Sequence, residues 1–76
     1  MRKDYITESR ARVILALANN GMNISRAARE LWMHRNNVVH HMERIKEVTG
    51  KDPRNFYDLV DLVDMVRKME AEHEQA

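Results

Sequence analysis

The chain has 76 residues, of which 43% are hydrophobic and 5% aromatic, and it contains no cysteine. That length makes one small domain spanning 1–76, and neither a disulfide framework nor a thiolate metal site can hold it together, so packing must. Formal charge is +1 overall, yet residues 1–50 carry nine Lys/Arg against five Asp/Glu and residues 51–76 carry four against seven, so a basic part precedes an acidic one.

The apolar residues are mostly Leu, Val, Ile, Met and Ala, which suits a helical bundle better than a sandwich of aromatic and β-branched strands. The expected class is all-α, a small four-helix domain. Met1-Arg2-Lys3 is followed by polar "DYITESR" where an export signal would turn apolar. The longest apolar run, "VILALA" at 13–18, falls far short of the roughly 20 residues that span a bilayer. A soluble, cytoplasmic chain with no membrane contact is expected.

Thr7 reads as an N-cap, and Ile6, Val13, Ile14, Leu17 and Ala18 then recur at helical spacing until "NNG" interrupts the pattern. A first helix over about 8–19 follows, with Gly21 in the left-handed position beyond its end. Asn23 caps a second, short helix over about 24–31, whose Ala27, Ala28 and Leu31 form a face small enough for another helix to approach closely. After Trp32-Met33-His34, the residues Val38, Met42, Ile45 and Thr49 recur at helical intervals and Gly50 stops the run, giving a third helix over about 35–49. Pro53, within "KDPRN", separates it from a fourth apolar pattern over about 56–72, which leads into a frayed acidic tail. No repeat and no low-complexity linker interrupts this order.

A short helix, a tight turn and a longer helix make a helix-turn-helix, here about 24–49, whose second helix can enter the DNA major groove. Many plain helical hairpins share that outline, so the outward residues must separate the two cases. A helical wheel places Asn36, Val39, His40, Glu43 and Glu47 opposite the apolar side of the third helix, with Arg35 and Asn37 beside them on the first turn. Arginine pairs with guanine and asparagine with adenine through two hydrogen bonds each, whereas Glu43 and Glu47 repel phosphate. The expectation is that only the N-terminal half of the third helix meets bases.

The strings "NISRAARELWMHRNNV" and "MERIKEVTGKDP" resemble the C-terminal helix-turn-helix of the PucR-type regulators, the purine-catabolism and sugar-diacid activators of bacteria. A looser similarity reaches the Fis-type DNA-binding hairpin. The resemblance covers about Arg12 to Val66, and the "HRN" and "TG" landmarks at their mutual spacing carry it. It implies a bacterial transcriptional regulator that binds double-stranded DNA, either an excised C-terminal domain or a stand-alone minimal regulator. Asn37 stands where the family usually has Thr, His40 where Tyr is common, and Val39 and His41 where basic residues are common. Contacts inherited at 39–41 therefore do not carry over. The residues expected at DNA are Arg35, Asn36, Asn37 and His40 for specificity, with Asn23, Arg26 and either Arg44 or Lys46 positioning phosphates.

Each of these residues has a plainer reading. Arg35 and Asn36 can simply solvate a helix start, Asn23 is first of all a cap, and Arg26 and Arg29 are ordinary surface cations. Trp32 reads as a core or turn anchor whose ring covers the hairpin. The neighbouring His40 and His41 point about 100° apart on a helix and lack a second His or Cys at i+4, which argues against zinc. No nucleophile, base and orienting group stand together and no glycine-rich phosphate loop is present, so neither an enzyme nor a cofactor is expected. Phe56, Leu59, Val60, Leu62, Val63, Val66 and Met69 cover an arc of roughly 180° on the fourth helix, wider than the ~100° stripe one core requires. A homodimer through residues such as Leu59, Val63 and Val66 is the expectation from that excess. The competing function is a protein-interaction module in which this apolar helix is the working surface and the hairpin only a scaffold.

Overall fold

The computed structural model describes residues 6–75 and, within the last helix, side chains up to Glu72; residues 1–5, read above for an export signal, lie outside the described residues. Four helices follow one another: α1 (Glu8–Asn19), α2 (Ile24–Leu31), α3 (Arg35–Thr49) and α4 (Phe56–Gln75). The first three match the expected boundaries, and no strand occurs among the described residues. α1 is the hub, since α2, α3 and α4 all pack on it, α2 also pairs with α3, and α4 approaches the backbone of no other helix.

Local chemistry sets each boundary. The Thr7 hydroxyl accepts from the Arg10 N–H at 3.2 Å and starts α1. At the other end Gly21 takes φ 61° and Met22 φ 66°, and the Met22 N–H turns back to the Leu17 carbonyl at 2.7 Å. Six-to-one bonding across a left-handed residue is the Schellman closure, for which glycine is the natural choice. The Asn20 side chain then ties the α1–α2 corner, donating to the Ala16 carbonyl at 2.8 Å and to the Glu30 carboxylate at 2.9 Å.

α2 begins on the Asn23 side chain, which accepts from the Arg26 N–H at 2.9 Å. It closes like α1, with Met33 N–H donating to the Ala28 carbonyl at 2.9 Å and Trp32 N–H to the Arg29 carbonyl at 3.2 Å. The residue in the left-handed position here is Trp32, at φ 57° and ψ 40°, not a glycine. His34 caps α3 through ring nitrogen Nδ1, which accepts from the Asn36 N–H at 3.2 Å, and Gly50 ends that helix at φ 76°. In the connector, the Asp58 carboxylate accepts from the Asp52 N–H at 3.0 Å, and Asn55 caps α4 by accepting from the Asp58 N–H at 3.0 Å. Pro53 is buried beneath this loop.

One buried cluster joins all four helices: Val13, Ile14 and Leu17 of α1, Ala27 and Ala28 of α2, Val38, Met42 and Ile45 of α3, and Leu59, Leu62 and Val66 of α4. The two alanines let α2 sit close, as their size predicts.

Four sequence expectations require correction. Trp32 does occupy the turn, but its side chain is 95% exposed and covers nothing, because the left-handed backbone directs it away from the core that Met33 packs against. Ala18 is exposed, and Ala11 and Ala16 take the buried side of α1 instead. The helix at the C-terminal end does not fray at 72 but continues to Gln75. Leu59, at 3% exposure, and Val66, at 0%, are consumed by the monomer's own core, so they are not available to a second copy. The apolar surplus on α4 is smaller and nearer its start: Phe56, Tyr57 and Val60 are 59%, 77% and 50% exposed, and Val63 is half-buried against the core.

Candidate nucleic-acid interface

The core side of α3 fixes what its other side presents. Val38, Met42 and Ile45 point inward, which leaves Arg35, Asn36, Asn37, His40, Glu43, Arg44, Lys46 and Glu47 exposed and Val39 and His41 half-buried. The wheel drawn from sequence holds for Asn36, His40, Glu43 and Glu47, whereas Val39, which it places outward, is half-buried. Because α3 starts at Arg35, directly after the His34 cap, Arg35, Asn36 and Asn37 form its first turn. The side chains of Asn36, Asn37 and His40 make no hydrogen bond within the described residues.

Among the described residues, several cations are paired with carboxylates. Arg12 pairs with Glu8 at 3.9 Å, Arg44 with Glu47 at 2.8 Å, Lys46 with Asp52 at 3.9 Å, Lys51 with Asp61 at 3.1 Å and Lys68 with Asp64 at 3.1 Å. Among the described residues, the guanidinium groups of Arg26, Arg29, Arg35, Arg54 and Arg67 have no such partner, and the first three of these lie on the hairpin. All three are exposed, two on α2 and one at the first residue of α3. The one carboxylate of α2, Glu30, is held by the Asn20 amide at the opposite corner. The hairpin thus combines three unneutralised guanidinium groups with two unengaged carboxamides, and the acidic Glu43 and Glu47 lie farther along α3.

The candidate residues do not stand alike within this arrangement. Arg26, Arg35, Asn36, Asn37 and His40 present free polar groups on α2 and the first two turns of α3. The Asn23 oxygen is already engaged as a cap, so what it offers a ligand is a fixed helix start. Arg44 and Lys46 lie farther down α3, each beside a carboxylate, and exposed pairs of this kind are weak enough to exchange. Two contributors escaped the sequence reading. His34 was placed only in the turn because histidine is outside the usual N-cap set of Ser, Thr, Asp and Asn. From sequence Trp32 reads as a core or turn anchor whose ring covers the hairpin, because tryptophan is highly buried on average. The "NNG" and "TG" stops show what a conventional helix end looks like here, and the absence of glycine after Leu31 was the available signal that another residue holds the left-handed position.

Among the described residues no group of three His, Cys, Asp or Glu side chains is placed to hold a metal ion. No helix is long and apolar enough to cross a membrane. Neither a curated protein nor a solved structure matches the chain. The family model described as the PucR C-terminal helix-turn-helix domain matches residues 11–65. That span takes in most of α1, all of α2 and α3, and the first half of α4, and so the chain belongs to the PucR C-terminal helix-turn-helix domain family.

Proposed function

We propose that this domain binds double-stranded DNA with sequence preference, as the reading module of a bacterial transcriptional regulator working in the cytoplasm. The first two turns of α3 enter the major groove, and α2 lies across the phosphate backbone. The observation that carries this reading is that α2 and the first turn of α3 expose three guanidinium groups without an ion-pair partner among the described residues, Arg26, Arg29 and Arg35, together with the unengaged amides of Asn36 and Asn37. Arg35, Asn36, Asn37 and His40 meet base edges, where bidentate Arg and Asn contacts distinguish guanine and adenine. Arg26, Arg29 and the backbone N–H groups at the Asn23-capped start of α2 position phosphates, with Arg44 at the periphery.

The working unit is a homodimer. Phe56 and Tyr57, whose rings meet edge to face with centroids 5.5 Å apart, and Val60 form an exposed apolar surface at the start of α4. A domain this small gains stability when a second copy covers such a surface. Two-fold pairing would place two recognition helices on successive turns of the duplex and multiply the selectivity of a hairpin with few base contacts. The same surface favours the second reading, a protein-interaction module that recruits a different partner through α4. Selection of bound sequences from a random DNA pool separates the two. Enrichment of a short inverted repeat supports the dimeric DNA reader, and a pool that shows no enrichment refutes it.

A further inference from the structure

We infer that Trp32 is a DNA contact that lies outside the recognition helix, with its indole packed against the sugar–phosphate wall of the groove that α3 enters. The inference rests on the DNA-binding reading above. Two features of Trp32 are unfavourable within the isolated fold. It holds a left-handed backbone, φ 57° and ψ 40°, which opposes any side chain with a Cβ, and it places the largest side chain in the chain's repertoire 95% in solvent. The Schellman closure of α2 requires the left-handed residue but not an indole, since glycine fulfils the same role at Gly21 without strain. Nothing in the core uses the ring, so its partner lies outside the monomer.

Position and charge identify that partner. Trp32 precedes Arg35 by three residues, so the two Cα atoms are within about 11 Å of each other even if the chain between them is extended. The major groove is about 12 Å wide. A ring outside the recognition helix but within that reach of its first residue can meet the groove wall, whereas the helix itself occupies the floor. The flanking exposed cations, Arg29 and Arg35, have no ion-pair partner among the described residues, and Glu30 between them is held by Asn20. An apolar protein surface covering the ring would face unpaired, exposed cations three residues away on each side of it in the chain. A polyanion with apolar sugar faces between its charges accepts them together: the indole face packs on deoxyribose, and the single ring N–H donates to a phosphate oxygen.

Trp32 is the only tryptophan in the chain, so its emission reports on this residue alone. The test adds a fluorescein-labelled, mixed-sequence duplex to the full chain, following duplex binding by anisotropy and, with unlabelled duplex, indole exposure by acrylamide quenching. Severalfold protection of the indole at saturation is expected. Trp32→Gly should melt no lower than the parent, because it relieves the left-handed strain and loses no buried contact, yet bind selected and mixed-sequence duplex about tenfold more weakly, sugar faces being alike in both. Binding by anisotropy with unchanged quenching, or Trp32→Gly binding as the parent does, overturns the Trp32 assignment and leaves the DNA reading standing. Absence of any anisotropy change overturns both. Protection that grows with protein concentration in the absence of DNA assigns the ring to a second copy and overturns the inference.

Discussion

Replacing Arg35 with alanine should weaken DNA binding without weakening the fold, and the structure sets the size of both effects. The Arg35 side chain is exposed and has no carboxylate partner among the described residues, so its removal orphans nothing in the free protein. Surface substitutions of that kind change stability by no more than about 0.5 kcal/mol. In the complex, a bidentate contact to a guanine edge is worth about 1–3 kcal/mol, which is roughly a 5- to 150-fold loss of affinity for the preferred site. Asn36→Ala should behave in the same way at an adenine position. Arg44→Ala is the internal comparison: it frees Glu47, to which Arg44 is paired at 2.8 Å, and lies farther along α3, so its effect should be smaller and alike on all sequences. The assay is anisotropy of a labelled duplex carrying the selected site, against one of mixed sequence, over a range of salt concentrations. Loss on the selected site alone supports base contact. Equal loss on both, with the slope of log affinity against log salt reduced by about 0.9, moves Arg35 to a phosphate. No loss on either removes α3 from the groove.

Further outcomes follow from the caps, the core and the α4 surface. His34→Ala deletes the Nδ1 acceptor that starts α3 and should destabilise the domain by about 0.5–2 kcal/mol, whereas His34→Asn keeps an acceptor and should restore most of that in a thermal melt. Leu62→Ala opens the fully buried centre of α4's contact with the core and should cost about 2–5 kcal/mol, a large share of the roughly 5–15 kcal/mol available to a domain, visible as a lowered denaturation midpoint. Phe56→Glu combined with Val60→Glu alters only exposed positions and should leave helicity by circular dichroism intact while converting a sedimenting dimer into a monomer. A parent chain that sediments as a monomer at micromolar concentration, and binds one half-site as well as two, removes the dimer.

The hairpin was legible because its signals are local and chemical. Thr7 and Asn23 are strong caps, "NNG" and "TG" are strong stops, and the spacing of Val38, Met42 and Ile45 fixes which side of α3 faces out. The difficult positions are those where tertiary context decides. α4 carries a wide apolar arc, but a sequence does not reveal how much of that arc the monomer consumes; α1 takes Leu59, Leu62 and Val66, leaving only Phe56, Tyr57 and Val60 well exposed. Trp32 ran against its usual preference for burial because backbone handedness at a helix end, not hydrophobicity, sets its direction. His34 shows a subtler failure, since an imidazole nitrogen can do the work of a carboxylate or hydroxyl oxygen at a cap only in the right tautomer and orientation, and neither leaves a mark in the sequence. The pairing state of the arginines was equally hidden, because Arg26, Arg29, Arg35 and Arg44 look equivalent until the positions of Glu30 and Glu47 are fixed in space.

The most direct test of the central claim is an amide chemical-shift titration of the isotopically labelled chain with a duplex from the selected pool. The account predicts that shifts concentrate at residues 23–29 and 32–40, along the start of α2, the turn and the first two turns of α3, while the C-terminal half of α4 remains unmoved. Shifts centred on Phe56, Tyr57 and Val60 with a quiet hairpin would contradict it, as would a spectrum that the duplex leaves unchanged.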